Sequence, residues 1–292
     1  MFPLLSTITS LLFLKAAATP HIKNGQDAKI NSHPWLLSLG PIRTNHNQGE
    51  EITICGASLI RVNQGDTSSD IAITAAHCID RSNCYNRKDL FQAFRVIAGN
   101  HDLTKADPGQ VSRNVIDGQC HKGHNTYADD IALIKLDRPL IFNDIIKPID
   151  LPQHNDSVKV GQKCKVAGWG FKECVIVKKR MEERCNTTEM ATVLQETDVE
   201  ISDTEMCTGP NFFYKKDKII CQTFHQSQGR PMPGDSGSAL VCMENDHQIL
   251  QGIVSFGHPN IKTVFTRVTS YLDWIKSNAD KLAHKSKESD EK

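Results

Sequence analysis

The sequence predicts an all-β fold, sandwich or barrel, that ends in one α-helix. Three observations carry this: short β-like runs recur along the chain, clusters of Gly, Pro, Asn or Asp separate them, and no long helix intervenes before residue 271. Of the 292 residues, 39% are hydrophobic and 23% charged, enough apolar side chain for one large core or two smaller ones.

The runs, in order, are Trp35–Leu39, Ile52–Ile60, Ile71–Ala75, Phe94–Ala98, Ile131–Leu136, Lys163–Ala167, Val193–Ile201, Ile219–Gln222, Ser238–Met243, Leu250–Phe256 and Thr263–Val268. Most are apolar or alternate with period two, the mark of a half-buried strand. Ile146-Lys147-Pro148-Ile149 marks a crossing between two halves, 22–147 and 148–280. The stretch between Cys174 and Cys185 is strongly charged and reads as an exposed loop. Near the end, Tyr271, Leu272, Trp274 and Ile275 form an apolar stripe on a helix, with Asp273, Lys276 and Asn278 facing water. Residues 281–292 are almost all polar and are expected to be a disordered tail.

Compartment is read from the first residues and the cysteines. Phe2 to Leu14 is mostly apolar but too short to span a membrane, and small residues at Ala16 and Ala18 suit signal peptidase; cleavage is expected after Ala18, leaving Thr19-Pro20-His21 as a short propeptide. No later run of about twenty apolar residues exists, so no membrane span is expected. Ten cysteines, scattered and without paired CxxC knuckles, read as a disulfide framework rather than zinc ligands. The sequons at Asn155 and Asn186 agree with an extracellular, glycosylated chain. Lys plus Arg and Asp plus Glu each number 34, so charge points to no nucleic-acid partner.

Three short segments carry chemistry. Gly234-Asp235-Ser236-Gly237 allows a tight turn that exposes a hydroxyl and aims the N–H groups of Gly234 and Ser236 at one point, where an oxyanion can develop. Serine is a poor nucleophile without a base. Thr74-Ala75-Ala76-His77-Cys78 supplies a histidine beside a cysteine that can lock its loop, and Asp129-Asp130-Ile131 supplies a carboxylate entering an apolar strand. Alone, each has a plain structural reading: a turn, a structural His–Cys pair, a solvated cap. In the order His77, Asp130, Ser236 they form a triad.

With these segments the sequence resembles the chymotrypsin/trypsin family of serine peptidases over residues 22–279. The resemblance rests on CGASLI from Cys55, IAITAAHC ending at Cys78, DIALIKL from Asp130, VAGWG from Val166, GDSGSALVC from Gly234 and GIVSFG from Gly252. It implies two six-stranded antiparallel β-barrels with a cleft between them. It implies an endopeptidase working through an acyl-enzyme, with His77 as base then acid, Asp130 orienting it, and Ser236 as nucleophile. Ser255, Phe256 and Gly257 would bind substrate backbone by β-addition. The family pattern implies Cys55–Cys78, Cys164–Cys242 and Cys207–Cys221; of the four remaining cysteines, the expected pairs are Cys84–Cys120 and Cys174–Cys185, out of three arrangements. Partners implied are protein or peptide substrates and protein inhibitors, with the chain a monomer that needs no cofactor and no metal.

The sequence departs from the family at three places. Met232 stands where one half of a pocket disulfide is usual, and His258–Lys262 lacks the other half, so the pocket wall is either looser than usual or held by Pro231 and Pro233. Arg230 stands at the pocket base where trypsins carry aspartate; it either points inward, disfavouring Lys and Arg substrates, or turns to solvent and leaves the pocket apolar. Ile22 resembles the N-terminus of the activated family enzyme, with Asp235 as the partner of its ammonium, yet no Lys or Arg precedes it. His121 and His124 are read as surface-loop residues rather than metal ligands. The alternative function is an inactive homologue acting as a secreted binding or regulatory protein.

Overall fold

A computed structural model of the chain describes residues 22, 25–42, 55–80, 84–124, 128–171, 176–179, 182–185, 190–208, 215–223, 229–258 and 262–289. The proposed leader, Cys174 and Asn186 lie outside them. Fifteen strands run in order: β1 Gln26–Asp27, β2 Leu36–Pro41, β3 Cys55–Leu59, β4 Ser68–Thr74, β5 Phe94–Ala98, β6 Val111–Cys120, β7 Ala132–Ile141, β8 Lys163–Gly168, β9 Ile176–Lys179, β10 Glu182–Cys185, β11 Gln195–Glu200, β12 Ile219–Thr223, β13 Ala239–Glu244, β14 His247–His258 and β15 Lys262–Arg267. Two α-helices join them, α1 Lys88–Phe91 and α2 Leu272–Ser289.

The first half closes as the six-stranded antiparallel barrel β2-β3-β4-β7-β6-β5. The register places Leu37, Leu39, Leu59, Ala72, Ile134 and Leu136 on one face of the barrel sheet, all fully buried, so the interior fills with side chains as small barrels require. The second half is the antiparallel set β11-β8-β13-β14-β15-β12, with the two-residue β1 added at its β11 edge, pairing Gln26 with Glu196 and Asp27 with Gln195. Its free ends meet at one isolated bridge, Ser202 to Cys221, with the Ser202 N–H donating to the Cys221 carbonyl at 2.8 Å. The Cys207–Cys221 disulfide lies beside that seam. A ladder does not form because β11 stops at Glu200 and the chain turns into a 3₁₀ segment over Thr204–Cys207, capped by the Asp203 carboxylate on the Glu205 N–H.

The crossing between halves falls at two consecutive residues. Ile149 bridges Ile60 at the end of the first barrel, and Asp150 bridges Ile249 in β14. Trp169, 1% exposed, packs in a core that also holds first-barrel residues such as Leu36 and Ala98.

Several elements depart from the sequence reading. β6 was not expected; in VSRNVIDGQC the apolar Ile116 is exposed and the polar Asp117 buried, so the sequence shows no clean hydrophobic face. The charged stretch before Cys185, expected as an exposed loop, pairs as the antiparallel strands β9 and β10, with Lys179 opposite Glu182 and Lys178 opposite Glu183 in register. The helix continues through the stretch expected to be a disordered tail, to Ser289. Leu282 explains this: it follows Ile275 and Ala279 at helical spacing, and all three are buried against the first barrel.

Candidate active site

His77 sits on a single 3₁₀ turn, Ala76–Cys78, immediately after β4. The turn is pinned from two sides. Cys78 is tied to Cys55 on β3 by a disulfide, and the Thr74 hydroxyl donates to the Gly56 carbonyl at 2.8 Å. Asp130 enters from just ahead of β7 and is 3% exposed. Its Oδ1 accepts the His77 main-chain N–H at 2.9 Å and its Oδ2 meets the His77 ring Nδ1 at 2.7 Å. With Oδ2 as acceptor, the ring carries hydrogen on Nδ1 and leaves Nε2 to take a proton.

Burial alone would raise the Asp130 carboxyl. The charge of a protonated His77, its ring hydrogen bond, the Ser255 hydroxyl donating to Oδ2 at 2.6 Å and the His77 N–H outweigh it, and hold the carboxyl below its ordinary range. The Thr266 hydroxyl donates to the Asp130 carbonyl at 2.8 Å. The neighbouring carboxylate faces elsewhere. Asp129 has φ of 50°, and its side chain meets Lys218 and accepts the Tyr271 hydroxyl at 2.8 Å.

Ser236 lies in the turn before β13. Its carbonyl accepts the Gly56 N–H at 2.7 Å. Both flanking glycines are needed. Gly234 has φ of 100° and Gly237 of 82°, and a Cβ on Gly237 would meet the Gly56 carbonyl at 2.2 Å and the Thr74 hydroxyl at 2.3 Å. The serine turn therefore packs directly on the strand end that leads to His77. Among the described residues, no hydrogen bond joins the Ser236 hydroxyl to His77, and the N–H groups of Gly234 and Ser236 donate to no protein atom.

Asp235, between them, is fully buried. It accepts the Gly170 N–H and the Met232 N–H, each at 2.8 Å. Among the described residues no cation pairs with it, and burial pushes its carboxyl up to about 6 despite those two donors. Gly168 and Gly170 leave it room: a Cβ on either would come within 2.5 Å of a carboxylate oxygen. Ile22 is also fully buried.

The residues expected to set specificity divide. Arg230 is 5% exposed, so it does not turn to solvent, and burial lowers its guanidinium from the usual value. Met232 is buried where a disulfide was missing from the pattern, Pro231 is buried and Pro233 exposed. Pairing between β13 and β14 ends at Ala239 and Ile253, so Ser255, Phe256 and Gly257 run past the end of that ladder, with Phe256 37% exposed.

Of the cysteines, Cys55–Cys78, Cys84–Cys120, Cys164–Cys242 and Cys207–Cys221 are disulfides; the Cys174–Cys185 pair lies outside the described residues. His77 lies near the sulfurs of Cys55 and Cys78, but these are bonded to each other and offer no thiolate to a metal. Asn155 is exposed in a turn.

Two placements escaped the sequence reading. Ser255 was expected only at the substrate edge, yet its hydroxyl holds Asp130. His124, expected on the surface, is 6% exposed, with Nδ1 3.9 Å from Asp130 Oδ1. A polar residue in an apolar strand pattern is the only signal for Ser255; none marks His124, whose burial depends on contacts with residues distant in sequence, such as the Asp80 carbonyl.

The trypsin family model matches residues 22–275. The chain is 29% identical to cathepsin G of Mus musculus over 97% of its length and 94% of that protein. It is 32% identical to duodenase-1 of Bos taurus and 30% identical to granzyme-like protein 2 of Rattus norvegicus, in each case over 91% of this chain and 94% of the relative. A closed barrel, a second antiparallel sheet and these matches together place the chain in the trypsin family of serine peptidases, as a serine-type endopeptidase.

Proposed function

We propose that the protein is a secreted endopeptidase in which Ser236, His77 and Asp130 form the catalytic triad. The observation that carries this is the paired hydrogen bonding of one buried carboxylate, Asp130, to the N–H and ring of His77. His77 Nε2 takes the proton of the Ser236 hydroxyl as that oxygen attacks the scissile carbonyl carbon. The oxyanion forms against the N–H groups of Gly234 and Ser236, which are preorganised by the two glycine turns. Collapse expels the amine, protonated by His77, and leaves an acyl group on Ser236. Water, deprotonated by His77, then releases the acid. Asp130 stays ionised throughout. Free enzymes often hold the serine–histidine contact loose and tighten it around substrate.

Activation rests on Asp235. A chain beginning at Ile22 offers a terminal ammonium, and Asp235 is a buried carboxylate with two N–H donors and, among the described residues, no cation. The family match beginning at residue 22 and the burial of Ile22 support the same start. Arg230, buried rather than turned to solvent, is read as placing a cation at the pocket base, which disfavours Lys and Arg side chains and favours acidic or uncharged ones. Secretion is supported by four disulfides, which persist in oxidising compartments, and protein inhibitors and a monomeric state belong to the same reading. The test is labelling of processed protein by a serine-directed phosphonate. Labelling that disappears in Ser236→Ala supports the triad; no labelling of the wild type would favour a non-catalytic binding protein.

A further inference from the structure

We propose that His124 is a positioning residue of the catalytic pair: a second imidazole against Asp130, whose charge state sets how firmly that carboxylate holds His77. The proposal rests on the reading of His77 as the base.

His124 is sealed from solvent, its side chain 1% exposed. Its Nε2 lies 3.1 Å from the main-chain carbonyl of Asp80. A carbonyl only accepts, so Nε2 carries a hydrogen and the variable proton belongs to Nδ1. That atom has no hydrogen-bond partner and lies 3.9 Å from Asp130 Oδ1, the oxygen that accepts the His77 N–H. When His124 is neutral, a ring lone pair faces a carboxylate. When it is protonated, a cation competes with His77 for one anion.

The anchor makes this more than proximity. Asp80 follows His77 by three residues, and its N–H donates to the Ala76 carbonyl at 3.1 Å, so His124 grips the turn that carries the base. Cys84 and Cys120, joined by a disulfide, lie four residues beyond Asp80 and four before His124. The loop is thus clamped covalently at one end and by the imidazole at the other. The other charged groups nearby are His121 on the same loop, Asp129, which Lys218 holds, and the Asp80 side chain. Among the described residues no hydrogen bond reaches Nδ1 of His124, while His121 and His124 interact through space.

The experiment uses full-length processed protein, as wild type, His124→Gln and His124→Phe. In both variants kcat is expected to fall about tenfold, with KM changed less than about twofold. The acidic limb of the wild-type pH profile is expected to spread over two coupled protonations and to collapse to one in each variant. A wild-type-shaped limb in both variants overturns the proposal, because a merely structural histidine would leave that shape alone. If wild-type protein hydrolyses nothing, the peptidase reading fails instead. In that case, or if neither variant folds, proton NMR of the His77 and His124 rings in Ser236→Ala protein decides. Mutual displacement of the two titrations supports the coupling, and two independent curves overturn it.

Discussion

The main-chain N–H and the ring Nδ1 of His77 land on different oxygens of one carboxylate, Asp130, at 2.9 Å and 2.7 Å. The backbone bond fixes where the turn stands and the ring bond fixes which nitrogen is protonated. Asp130→Asn keeps the shape but offers an amide NH₂ in place of one oxygen, which favours the wrong tautomer. A loss of about 10⁴-fold in kcat is expected, with the fold intact by circular dichroism.

Ser255→Ala removes one donor from Asp130 Oδ2. The carboxyl then moves back toward its ordinary range, and the protein is expected to lose about 1–3 kcal/mol at neutral pH. Because the folded-state carboxyl is held low, its contribution is present above the unfolded value and lost as pH falls through the folded one. Acid unfolding of the variant should begin at higher pH than in wild type, as followed by tryptophan fluorescence.

Asp235 carries the opposite sign. Its carboxyl is raised to about 6 in the folded chain, so its contribution is full below the unfolded value and disappears as pH climbs through about 6. Unprocessed protein should lose on the order of 3 kcal/mol between about pH 4 and 6, and Asp235→Asn should flatten that slope. Urea unfolding of both forms across this range is the measurement. Protein processed to Ile22 should not show the loss, since its ammonium offsets the buried charge.

Arg230→Ser should relax the exclusion of basic side chains. In a peptide library the wild type is expected to be depleted in cleavage after Lys and Arg. The variant should raise cleavage after Lys by about tenfold or more. Strong cleavage after Lys by the wild type would refute the assigned role of Arg230.

Replacing both Cys84 and Cys120 by serine opens a link across 36 residues of sequence. Chain-entropy arguments give a destabilisation of about 3–4 kcal/mol. Because the link also borders the His77 loop, kcat should fall more than the KM changes.

The site was legible where chemistry demands a particular residue at a particular turn. Gly234 and Gly237 need positive φ, and His77 and Asp130 sit at strand ends that apolar runs announce. The first barrel was legible for the same reason. What the sequence hid depends on contacts between distant segments. β6 shows no clean alternation because much of one face stays half-exposed. Nor does composition reveal that Ser255 serves Asp130, 125 residues away, or that His124 is buried. The extension of α2 to Ser289 was obscured by polar residues around the single buried Leu282.

The two halves should come apart unequally. One is a continuous hydrogen-bonded cylinder; the other, among the described residues, meets itself at the isolated bridge between Ser202 and Cys221 and at the Ser202 hydroxyl's bonds to Thr223. Amide deuterium should therefore enter β12 early and the inner strands of the cylinder last. Reduction of Cys207–Cys221 would let this border unzip and make the flanking chain a first target for nicking, so the lifetime of the enzyme among other proteases is set there rather than in its best-packed core.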